Sequence, residues 1–136
     1  MDWITERVAI GSRVEAHDAA VLRGSGIRSV LSLDGTLASA DAGALGLDEI
    51  VSVPLRDGSG NELSVFRLAV ESLTRLAADH APVLVHCELG RSRSPAVVAG
   101  YVMGLEGLDP LQARALVASK CTTSISAALV PFLFQL

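Results

Sequence analysis

Cys87 and Arg93 lie six residues apart in the stretch Pro82 to Pro95, PVLVHCELGRSRSP, with His86 before the cysteine, Gly90 midway and Ser94 after the arginine. Val83 to Val85 reads as a short buried strand and the apolar run from Ala96 as a helix, so the residues between them form a strand-to-helix loop. Such a loop offers backbone N–H groups, and roughly half a positive charge from the helix dipole, to an anion at its centre. Here Glu88, Leu89, Gly90, Arg91, Ser92 and Arg93 would supply the amides, with Gly90 letting the chain curl. Arg93 would grip two anion oxygens at once, which a lysine cannot do. The same field favours a thiolate over a thiol. A phosphoryl group held there would face the sulfur, and in-line attack would give a phosphocysteine with neither metal nor cofactor.

That attack needs a proton donor for the departing oxygen. Asp57, in the polar loop LRDGSGNEL after a separate strand, can reach over the pocket as general acid and later activate water. Ser94 Oγ is placed to hydrogen-bond the sulfur and help it leave. His86 is expected to order the loop backbone rather than move protons. Asp34, followed by Gly35, reads as a turn former. A Cys and an Arg six apart are a weak signal alone; the flanking His, Gly, Ser, strand and helix make it specific.

The elements that must position these groups follow from periodicity. Val8 to Ile10 suggests a first, edge strand; Ile27 to Leu33 and Ile50 to Val53 suggest two more, the last one buried and ended by Pro54. His17 to Leu22 suggests a short helix, and Thr36 to Leu47 a loop with weak helical character. Phe66, Ala69, Val70, Leu73, Leu76 and Ala77 mark one face of an amphipathic helix, capped by Asn61 or Ser64. Ala96 to Leu105 is apolar nearly all round, as a buried helix would be. Asp109, Pro110 and Gln112 form a strong helix start, and SISAALVPFLFQL suggests a last helix. Alternating strands and helices imply an α/β fold, a central, mainly parallel twisted sheet of about four to five strands flanked by helices. Ligands in such sheets bind beyond the carboxyl ends of the strands, where Cys87 would stand.

With 136 residues, the chain reads as one domain, 1–136. A net charge of −4 argues against nucleic acid as main partner, although Arg56, Arg91 and Arg93 could converge into a local basic pocket. Two cysteines without metal-ligand spacing make neither a disulfide framework nor a metal site, and together with the lack of a leader or membrane segment they suggest a cytoplasmic protein, monomeric by default. Tyr101 is expected in the core and Trp3 as a packing anchor.

The motif HCELGRSRS resembles the signature of the cysteine-dependent protein tyrosine phosphatase superfamily, HCx5R followed by Ser or Thr, and Gly90 to Ser94 is most similar to the small, atypical dual-specificity branch. VAIGS, GIRSVLSL, VPLRD, AGYVMGLEGLDPLQARALV and FLFQL extend the resemblance over nearly the whole chain. The resemblance implies Cys87 as nucleophile, Arg93 as phosphate clamp, Asp57 as general acid and Ser94 as helper of the leaving thiolate. It also implies a phosphorylated protein as substrate, on tyrosine and on serine or threonine. Removal of phosphate from a phosphoinositide or an RNA 5′ end, and phosphate binding without turnover, are the alternatives. No tyrosine lies between Asp34 and Leu47, where the tyrosine-specific branch carries one, so a shallow pocket is expected. Glu88 departs from the usual loop and is expected at the rim, paired with Arg91. CTTSISAALVP lacks the family's usual elements.

Overall fold

A computed structural model describes residues 1–136. Its strands are β1 (Asp2–Trp3), β2 (Val8–Gly11), β3 (Ser29–Ser32), β4 (Glu49–Ser52) and β5 (Val83–His86), in the sheet order β1-β2-β5-β3-β4. β5 runs parallel to β2 and β3, and β3 parallel to β4, while β1 pairs antiparallel with β2. In register, His86 stands opposite Gly11 on one side and Ser32 on the other. The ends of three parallel strands are therefore level where Cys87 begins the next loop.

Side chains alternate across the sheet with a period of two. Val8, Ile10, Leu31, Val83 and Val85 join the larger core; Ala9, Val30 and Leu84 join the smaller one on the opposite face. The larger core is covered by α3 (Leu63–Asp79), α4 (Arg93–Glu106), α5 (Pro110–Lys120) and α6 (Val130–Leu133). The smaller face is covered by α1 (Arg13–Ala16) and α2 (Ala19–Gly24), with Leu37 and Leu47 from the connection that contains a short 3-10 turn, Gly43–Leu45. α3 buries Phe66, Ala69, Leu73, Leu76 and Ala77, the face its spacing predicts. α4 buries every residue from Ser94 to Val102, Tyr101 included.

Several boundaries differ from the sequence expectation. β2 is interior, because Asp2–Trp3 adds a strand outside it. β4 forms the other edge, so it is half-buried rather than buried. The helix expected over His17 to Leu22 begins two residues later, as α2, and a further short helix, α1, precedes it: Ser12 and Glu15 build a capping box for α1, and Asp18 caps α2 by accepting from Ala20 and Val21. The N-cap of α3 is Glu62, which makes no side-chain cap bond. Asn61 instead braces its own loop, accepting from Arg56 N at 2.8 Å and donating to the Arg56 and Gly58 carbonyls. The capping box of Asp109 and Gln112 forms as expected. The C-terminal stretch forms only the single turn α6, with Pro131 in that turn. Trp3 is 40% exposed, because a two-residue edge strand offers it no second layer to pack under.

Candidate active site

The loop Cys87 to Ser92 connects the end of β5 to the start of α4. Its carbonyls are taken up by the surrounding scaffold. Cys87 O accepts from His86 Nδ1 at 3.1 Å, Glu88 O from Arg13 N at 3.0 Å and Arg91 O from Ser124 N at 2.6 Å. The backbone N–H groups of Glu88 to Ser92, by contrast, donate to no other protein group. A row of unused donors at a helix start is what an oxyanion requires. Gly90 sits at φ +76°, and a Cβ there would fall 2.7 Å from Gly11 O and 3.3 Å from Ile10 Cγ2. The loop can approach β2 this closely only because residue 90 lacks a side chain.

Beneath the loop lies a buried polar network. Cys87 O can only accept, so His86 Nδ1 carries the proton, and Nε2 accepts from Ser32 Oγ at 2.8 Å. Burial pushes the His86 pKa down, against the opposing pull of the Cys87 carbonyl and Asp34, which keeps the ring neutral. Asp34 lies 3.7 Å from His86 Nδ1 and 2.8 Å from Arg13 Nε. Burial would raise its carboxyl, but hydrogen bonds from Thr36 and Arg13 prevail and hold it far below the usual carboxylate range. Asp34 is thus a turn former, and also the buried counter-charge that ties Arg13, and through Arg13 N the Glu88 carbonyl, to the floor of the loop.

A cavity of about 250 Å³ opens above the loop, lined by Asp57, Cys87, Glu88, Leu89, Arg91, Ser92, Arg93 and Ser124. Cys87 is 2% exposed, a sulfur at the bottom of an open pocket. Arg93 Nη1 donates to Leu55 O at 3.2 Å, while Nε is buried without a partner. Asp57, from a loop thirty residues upstream, meets Ser92, whose Oγ lies 2.5 Å from Asp57 Oδ1. The structure therefore brings Cys87, Arg93 and Asp57 into one cavity with most of the loop.

Other expectations fare differently. Gly90 turns its α-carbon to β2 and does not line the cavity. Ser94 is fully buried and its Oγ has no hydrogen-bond partner, so the expected bond to the sulfur is not formed. Arg56 lies outside the pocket, packed by Gly60, so the basic convergence reduces to Arg91 and Arg93. Glu88 is exposed and makes no ion pair with Arg91; its charge acts instead on Arg13, whose pKa it helps to raise. Cys121 is half-buried just after the end of α5, where burial and the nearby Asp2 push its thiol pKa up. Arg13, Ser124 and Ser126 were not legible as site residues, because nothing in their local sequence distinguishes them from ordinary surface polar groups.

A thiol at the floor of an anion-receptive strand-to-helix loop closed by an arginine, on a mainly parallel sheet, defines the class. Residues 8–136 match the family model described as "Dual specificity phosphatase, catalytic domain", and the chain belongs to that family of phosphatases. Among individual proteins, Protein phosphatase Slingshot of Drosophila melanogaster is 32% identical over 101 residues, which cover 74% of this chain and 9% of that protein. Protein-tyrosine-phosphatase IBR5 of Arabidopsis thaliana is 51% identical over 39 residues, covering 29% of this chain and 15% of that protein. The chain thus spans only a small part of either relative. The crystal structure of human DUSP28 has the same fold, with a TM-score of 0.84 and 21% identity over 99% of this chain and 94% of that one. No helix of the present structure is long and apolar enough to cross a membrane.

Proposed function

We propose that this domain hydrolyses phosphomonoesters on proteins through a phosphocysteine intermediate, with Cys87 as nucleophile, Arg93 as phosphate clamp and Asp57 as general acid. One observation carries the reading: the Cys87 sulfur shares a cavity with loop amides that have no protein acceptor and with Arg93, whose buried Nε has no partner. A phosphate dianion satisfies both sets of donors, and burial makes each such bond worth more than it would be in water.

In the first step the Cys87 Sγ–P bond forms as the P–O bond to the leaving group breaks, and Asp57 gives its proton to the departing oxygen. In the second, Asp57 takes a proton from water, the water oxygen bonds to phosphorus, and sulfur leaves with the electron pair of the S–P bond. As negative charge returns to the sulfur, a change of the Ser94 side-chain rotamer would let its unpartnered hydroxyl donate to it. His86 holds the Cys87 carbonyl, and its burial disfavours the charged ring.

Two features support a protein substrate. The cavity is open to solvent, and the lack of a tyrosine between Asp34 and Leu47 to wall it would suit phosphoserine and phosphothreonine as well as phosphotyrosine. At Ser124 it also meets a groove lined by Leu111, Arg114, Ala118, Thr123 and Ile125, which could receive residues flanking the phosphate. The test is hydrolysis of phosphopeptides, phosphoinositides and 5′-phosphorylated RNA, with chelator present, by wild type, Cys87→Ser and Asp57→Asn. Cys87→Ser should be inactive, and Asp57→Asn should lose about 10²- to 10⁴-fold on tyrosyl phosphate. Turnover by Cys87→Ser would exclude the covalent route, and preference for inositide or RNA would replace the protein reading.

A further inference from the structure

The bond between Ser92 and Asp57 belongs to a longer chain of donors. Ser126 N donates to Ser92 Oγ at 2.9 Å, and Ser92 Oγ in turn lies 2.5 Å from Asp57 Oδ1. A backbone amide can only donate, and an ionised carboxylate can only accept. The Ser92 proton is therefore directed at Asp57, with the amide behind it polarising the hydroxyl. The segment that supplies the amide is fixed a second time, by Ser124 N donating to Arg91 O at 2.6 Å. Ser92 thus joins three parts that are far apart in sequence: the loop carrying Asp57, the anion loop, and the connection between α5 and α6.

We infer that Ser92, held by the Ser126 amide, is the positioning residue that aims the Asp57 carboxyl at the leaving group, so that the 124–126 connection is a working wall of the active site. This rests on the reading of Asp57 as general acid. With Oδ1 occupied by the Ser92 hydroxyl, Oδ2 is the oxygen left to carry the proton. It passes that proton to the departing oxygen as the P–O bond breaks, and takes one from water in the second step. Without Ser92, the Asp57 side chain loses the only hydrogen bond that its carboxylate makes to the protein. An acid on an exposed loop then samples orientations from which transfer is inefficient, and the loss falls on kcat for substrates that need the proton.

Leaving-group chemistry separates this role from simple support of the anion loop. Ser92→Ala, Ser92→Thr, Asp57→Asn and the double variant Ser92→Ala/Asp57→Asn are assayed on tyrosyl phosphate and on an aryl phosphate whose phenol is strongly acidic. Ser92→Ala should lower kcat about tenfold or more on tyrosyl phosphate and by no more than about threefold on the acidic aryl ester, since a good leaving group needs little protonation. Ser92→Thr, which keeps the hydroxyl, should recover most of the loss. In the Asp57→Asn background Ser92→Ala should add less than about twofold, because both changes remove one function. Equal losses on both esters, multiplicative losses in the double variant, or no recovery by threonine would overturn the inference. If Asp57→Asn cost nothing on tyrosyl phosphate, the positioning role and the general-acid assignment would fall together. An inactive Cys87→Ser would still leave the covalent mechanism standing.

Discussion

Gly90→Ala puts the geometry of the loop to a quantitative test. At φ +76° an alanine pays the left-handed penalty of about 1–2 kcal/mol. Its Cβ would also lie 2.7 Å from Gly11 O and 3.1 Å from Gly11 C, which are backbone atoms inside a parallel ladder and cannot swing away. Relieving that overlap costs about 1–3 kcal/mol more. The sum, roughly 2–5 kcal/mol, corresponds to a fall in Tm of about 6–15 °C at about 3 °C per kcal/mol for a domain of this size. Gly24→Ala is the control: it ends α2 at negative φ with nothing within 4 Å of the added carbon, and should change stability by less than about 1 kcal/mol. Thermal melts of both variants are run with and without vanadate. Saturation at a hundred times Kd should stabilise wild type by about 2.7 kcal/mol, raising its Tm by about 8 °C. The displaced loop of Gly90→Ala should forfeit most of that rise. A Gly90→Ala protein that melted within about 2 °C of wild type and kept the full vanadate response would refute the account of why residue 90 is glycine.

Acid should destabilise the fold in two stages. His86 and Asp34 both hold protons less readily in the folded than in the unfolded chain, so the unfolded state takes up protons first as pH falls. Their stabilisation is complete above the unfolded pKa values, about 6.5 for His86 and 3.9 for Asp34, and is lost progressively below each. Urea midpoints measured against pH should fall below those values, and Asp34→Asn should flatten the lower stage while lowering the midpoint at neutral pH. Leu73, fully buried on α3, and Leu111, 66% exposed on α5, should separate stability from recognition. Leu73→Ala should cost about 2–5 kcal/mol in urea unfolding. Leu111→Ala should stay within about 0.5 kcal/mol yet raise KM for a phosphopeptide several-fold and leave small aryl phosphates unaffected; equal KM values would remove the groove from substrate binding.

What could be read from the sequence depended on the range of the interactions involved. The larger face of α3 was legible because Phe66, Ala69, Leu73, Leu76 and Ala77 repeat with the helical period, and α5 because Asp109 and Gln112 satisfy each other across one turn. The capping box of Ser12 and Glu15 carries an equally local signal that the apolar pattern around His17 obscured. The status of β2 and β4 was not legible, since edge or interior position depends on which distant strand pairs alongside. Trp3 was misread for the same reason: its exposure follows from an edge strand two residues long.

By itself, the sequence determined the anion-receptive loop on which the proposed centre is built. Cys87, the loop amides, Gly90 and Arg93 lie within seven consecutive residues, so a strand before them and a helix after them suffice to assemble an anion site. Asp57 could be nominated because an acid early in a polar loop after a strand is a local feature too. Only the tertiary structure decided what surrounds that centre. Ser92 meets both Asp57 and the amide of Ser126, and Arg13 meets both Asp34 and the Glu88 carbonyl, across separations that no periodicity spans. Those contacts depend on strand order and on how the helices pack over the sheet, and the same packing leaves Ser94 buried beneath the loop with its hydroxyl unpaired.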